Sequence, residues 1–214
     1  MIRPWIAILL IPLSFFSLSS ERPFSQADSD WTYKHFYPVL DELMPLQGTA
    51  GAYVVYRAHS ESDIPEYWFV IGYDPNQDGH ELQKYLSVHV RVADTHSVFG
   101  QIMRAHRSEP REDIASIEKR IELRTFELNE MTCPAIKDQV EILEKLQVNV
   151  PKFHDPGVFI LGHPEKSEFH IKWGLQQMRV VLVDDGKLPH ENALLNWAYW
   201  TRRAINDCAQ AITD

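Results

Sequence analysis

The apolar positions of this chain recur with period two in some stretches and near 3.6 in others, and the changeovers mark its elements. Tyr53-Val54-Val55-Tyr56 is a short run of strong β-formers. From Glu66 to Tyr73 nearly every position is apolar, which predicts a central strand covered on both faces. From Tyr85 to Ala93 the pattern becomes an alternation, with Leu86, Val88, Val90 and Val92 on one side and Ser87, His89 and Arg91 on the other. That is a strand with one polar face. The stretch Asp74-Pro75-Asn76-Gln77-Asp78-Gly79 lies between the two and predicts an antiparallel hairpin. Residues 120–128 suit another strand, and three more are expected over 157–162, 168–173 and 177–183. In the last two, Phe169, Ile171 and Trp173 alternate with His170 and Lys172, and Met178, Val180 and Leu182 with Gln177 and Arg179.

Helical spacing appears elsewhere. Trp31, Phe36, Leu40 and Leu43 share a face behind a capping Asp30, with Pro38 expected to kink or split that helix. Thr95 or Ser97 caps a short helix through Val98, Ile102 and His106 that ends before Pro110. Ile114, Ile117 and Ile121 fit a further helical stretch. The clearest helix starts at Thr132 or Cys133 with Pro134 in its first turn, and carries Ile136, Val140 and Leu143 on its apolar stripe. A final helix from Glu191 or Asn192 lines up Leu194, Ala198, Thr201, Ile205, Cys208 and Ile212. Together these predict an α+β domain: a mainly antiparallel sheet of six or seven strands with three or four packed helices.

The start of the chain reads differently. Arg3 precedes an uncharged apolar run from Trp5 to Leu18, and Ser17 and Ser19 supply the small residues of a cleavage site. This order predicts a signal peptide over 1–19, with a second cut site after Ala27, a flexible lead-in over 20–30 and one domain over 31–214. The destination is then secreted or periplasmic, with no membrane span once the signal is removed. Export changes the reading of Cys133 and Cys208: a bridge between them is favoured over inert thiols or a nucleophilic Cys133 at a helix start.

Charge narrows the partners. The chain holds 21 Lys+Arg against 30 Asp+Glu, a net −9, and losing Arg3 with the signal would deepen the imbalance. A nucleic-acid partner is disfavoured, since that contact depends on neutralising phosphates. There is no G-x-S-x-G, S-x-x-K, P-loop, H-E-x-x-H or C-x-x-C, so no cofactor or nucleophile motif is in hand. Asp74, Asn76 and Asp78 resemble the first half of a calcium loop, but Tyr85 stands at the twelfth position and strands flank it; a plain loop explains the same residues. One pattern stands out against the acidic composition. On alternation alone, His89, Arg91, Arg124, His170, Lys172 and Arg179 project from one side of the sheet. Such a face would suit an anionic small molecule or an acidic protein surface, or else be an ordinary solvated face. The function expected is a non-enzymatic binding module, with a hydrolase built from scattered histidines and carboxylates, or a structural envelope component, as alternatives.

Overall fold

The computed structural model describes residues 25–47, 51–62, 64–73, 85–93, 95–109, 113–147, 165–173, 176–183 and 192–213. The expected strand at 157–162, the triplet Asp74, Asn76 and Asp78, and residues 1–24 lie outside them. Six strands are described: β1 (Ala52–His59), β2 (Tyr67–Tyr73), β3 (Leu86–Val92), β4 (Arg124–Asn129), β5 (Lys166–Trp173) and β6 (Gln176–Val183). They form one antiparallel sheet in the order β4-β3-β2-β1-β5-β6. β2 and β3 pair as the expected hairpin, and β2 is central and buried at Tyr67–Gly72. At the start of β1 the chain needs two glycines. Gly51 adopts φ +90, and a Cβ on Gly72 would meet the Gly51 carbonyl oxygen at 2.6 Å.

Five helices among the described residues flank the sheet: α1 (Gln26–Leu43), α2 (Val98–Ser108), α3 (Ile114–Glu118), α4 (Ala135–Lys145) and α5 (Ala193–Thr213). They divide between its two sides. Val54, Tyr56, Phe69, Val88, Val90, Phe169 and Ile171 pack with Ile136, Val140 and Leu143 of α4 and Leu194, Trp197 and Ile205 of α5. The opposite parity, Val55, Trp68 and Val70, packs with Phe36 and Leu40 of α1, Ile102 of α2 and Ile117 of α3. The molecule is a single α+β domain with the sheet between two helical layers.

Capping explains where the helices begin. α1 starts five residues before Trp31, because Ser25 and Asp28 form a reciprocal capping box: Asp28 N–H donates to Ser25 Oγ at 3.2 Å and Ser25 N–H to Asp28 Oδ2 at 3.0 Å. Asp30 is therefore inside the first turns, and α1 runs through Pro38 as one helix. Ser97 caps α2, accepting from the Gly100 N–H at 2.9 Å. Asn192 caps α5, its side chain accepting from Leu194 N–H at 3.0 Å. α4 has no side-chain cap; Asn129 Oδ1 organises the preceding turn by accepting from Met131 and Thr132 N–H. Cys133, just before α4, is bridged to Cys208 of α5 with Cα atoms 5.5 Å apart.

Candidate functional site

Alternation along each strand, combined with the observed register, places the six predicted cations. His89 and Arg91 on β3, His170 and Lys172 on β5 and Arg179 on β6 share the side of the sheet that faces α1 and α2. Arg124 does not. It has the parity of Phe126 and Leu128, which belong to the other side, and its guanidinium lies 5.4 Å over the Phe126 ring. The shared side is also not an open polar face. Helices cover its middle, so the remaining candidates split into two groups separated by β1 and β2, which present Val55 and Arg57, and Trp68 and Val70, to this side.

The β3 group is used by the fold. Arg91 donates to the Leu43 carbonyl at the end of α1 and lies 5.1 Å over the Trp68 ring. A cation suits that position because the helix C-terminus carries partial negative charge. His89 sits 3.5 Å from Glu127 with both side chains about half exposed, a surface pairing of small worth.

The β5–β6 group forms a hollow of about 590 Å³ with Leu46, Gln47 and Gln177. Pairing sets His170 opposite Arg179 and Lys172 opposite Gln177. His170 Nδ1 is 2.9 Å from the Leu46 carbonyl oxygen, so Nδ1 carries a proton and donates. Arg179 gives one N–H to Glu168 Oε1 at 3.1 Å while its side chain stays 63% exposed. Lys172 has no ionic partner among the described residues. The hollow thus offers one unspent ammonium, a guanidinium with further donors, and an imidazole held in orientation by backbone.

Behind it lies an ion network that the sequence did not disclose. Arg57, on β1, is buried; it donates through Nε to Glu168 Oε2 at 2.9 Å, through a second nitrogen to the same oxygen, and to Asp41 at 2.6 Å. His59 Nε2 approaches Glu168 Oε2 at 3.2 Å. Burial alone would raise the Glu168 pKa. Hydrogen bonding from His59, the charge and hydrogen bonds of Arg57, and Arg179 overcome that and bring it down to about 2. Glu168 therefore ties the buried network to the exposed Arg179. The only trace in the sequence is a pair of polar residues, Arg57 and His59, two apart in an otherwise apolar strand. Their partner is 111 positions from Arg57 and could not be inferred.

A second buried pairing sets His106 Nε2 3.5 Å from Asp28 Oδ1, with the His106 ring stacked 3.9 Å from Trp31. It holds α1 on α2. Beyond these, Lys166 donates to Tyr37 at 2.7 Å and to Glu61 at 3.4 Å. The Tyr37 hydrogen bond, against burial, raises the lysine pKa and keeps it charged. No group of three or more His, Cys, Asp or Glu among the described residues is placed to hold a metal ion. No described helix is long and apolar enough to cross a membrane. Against known proteins, the chain matches no family model, no curated protein and no solved structure.

Proposed function

We propose that this protein is an exported, non-enzymatic binding module that holds the anionic group of a small molecule in the His170–Lys172–Arg179 hollow. The observation that carries the reading is Lys172. In a chain with a net charge of −9, a half-buried ammonium without an ionic partner among the described residues sits beside the Arg179 guanidinium and the His170 imidazole. Such a set matches a carboxylate or phosphate oxygen cluster, for which charge-assisted hydrogen bonds are the strong contacts. Binding is favoured over hydrolysis because both buried histidines with carboxylate partners are occupied inside the fold, His59 in the ion network and His106 between Trp31 and Asp28. Export is supported by the order of Arg3, apolar run and small residues, and the bridge between Cys133 and Cys208 suits an oxidising compartment.

Calorimetric titration with inorganic phosphate and with citrate tests the site. Saturable binding of at least one is expected, weakened at least tenfold, or about 1.4 kcal/mol, by Lys172→Glu, and weakened by added salt. Neither anion binding the folded wild type, or Lys172→Glu binding as well as wild type, would sink the proposal.

A further inference from the structure

The opposite face of the sheet carries a second hollow of about 600 Å³, between β5 and the middle of α5. That is within the usual range for small-molecule sites. Its deep end presents two hydroxyls in a place otherwise given to core. Tyr56 and Ser167 are each 2% exposed, and Tyr56 Oη lies 3.2 Å from Ser167 Oγ. One donates to the other, which leaves a second hydroxyl proton for another acceptor.

Arg202 forms one wall. Its guanidinium lies 4.7 Å over the Tyr67 ring, and Tyr67 is itself fixed by donating to Asn206 Oδ1 at 3.2 Å. Arg202 also hydrogen-bonds to Tyr56, and it reaches Glu165 Oε1 at 3.4 Å, a long contact for a charged pair. Glu165 and an Arg203–Asp207 pair at 4.0 Å also line the hollow, and Tyr199, half exposed, lines the rim with Leu195.

With Asp207 paired to Arg203, a simple anion would be drawn to Arg202 but repelled by Glu165, and a simple cation the reverse. A molecule bearing both charges next to each other satisfies both, replacing one long ion pair with two shorter contacts. The apolar rim adds room for a hydrocarbon side chain. We infer that this hollow binds a small zwitterion of the α-amino-acid type. Its carboxylate lies against Arg202 and the Tyr56–Ser167 hydroxyls, its ammonium against Glu165, and its apolar side chain along Leu195 and Tyr199. The site is distinct from the basic hollow, from which it is separated by the sheet.

Titration calorimetry with L-leucine, N-acetyl-L-leucine and L-leucinamide tests it. Saturable leucine binding is expected, with each analogue at least tenfold weaker because one charge is missing. Arg202→Met keeps the stem against Tyr67 and removes the donors; at least a tenfold loss is expected. Lys172→Gln, in the other hollow, should leave leucine affinity unchanged. Absence of saturable leucine binding, equal binding of N-acetyl-L-leucine, loss of leucine binding in a folded Lys172→Gln variant, or leucine affinity unmoved in folded Arg202→Met overturns the assignment. Should Arg202→Met fail to fold by circular dichroism, Glu165→Gln takes its place. It is expected to weaken leucine while N-acetyl-L-leucine binds no more weakly than before, since its carboxylate loses a repelling neighbour, and unchanged leucine affinity overturns the assignment.

Discussion

Glu168 receives hydrogen bonds from Arg57 and Arg179 and lies within hydrogen-bonding distance of His59, and its role can be tested by pH. Its folded pKa of about 2 lies below the ordinary 4.5, so the unfolded chain binds the proton more readily between those values. The contribution is therefore complete above about pH 4.5 and is lost as pH falls towards 2. The shift corresponds to about 2–3 kcal/mol, after allowing for the solvent that reaches Arg179 and Asp41. Glu168→Gln should lower stability at pH 7 by that order, and its deficit against wild type should shrink between pH 4.5 and 3. Urea unfolding at several pH values decides this; a constant deficit would assign the network no electrostatic share. Arg57→Met leaves Glu168 buried beside fewer cations, and a loss of about 3–5 kcal/mol is expected in the same assay at pH 7.

At the scale of elements, periodicity located the six described strands and most of the described helices, because a buried stripe or row repeats at short range. It misplaced the start of α1. The first turn carries exposed Gln26 and Ala27, so no apolar signal marks it, and the information lies in the Ser25–Asp28 spacing. Ser25→Ala should cost about 1 kcal/mol by thermal or urea unfolding. The same cap bears on processing. A cut after Ser19 leaves the capping box intact, whereas a cut after Ala27 removes Ser25 from it. Under the proposed export, N-terminal sequencing of the mature protein should give a start near residue 20, and a product beginning at Asp28 would contradict this. Alternation also placed five of the six candidate cations on one side. It could not say which of them other elements would consume. Arg91 became a helix-end ligand because α1 finishes above β3, and Arg124 fell on the far side because it shares parity with Phe126. Arg57 and Glu168 depend on the pairing of β1 with β5, which no local pattern encodes.

Across the whole molecule, the bridge joins the two helices that cover one face of the sheet. Trp197 of α5 already donates its indole N–H to the Gln139 carbonyl of α4 at 2.7 Å, so the native contact does not depend on the disulfide. What the bridge restricts is the unfolded chain, by closing a loop spanning 75 positions. In the chain-entropy view that is worth about 4 kcal/mol. Cys133→Ala with Cys208→Ala should therefore keep the native circular dichroism spectrum while lowering Tm by roughly 10 °C. Reductant should lower the wild-type Tm by a similar amount and leave the double variant unmoved. The two arms separate a covalent effect from a packing effect. Cys133 is fully buried, so alanine there also removes a sulfur from the core, whereas reduction leaves the atoms in place. A wild type insensitive to reductant, with both thiols shown to be free, would mean that the bridge does not stabilise the fold. Two thiols alkylated in folded protein purified under oxidising conditions would remove the bridge itself, and with it the structural support for an oxidising destination.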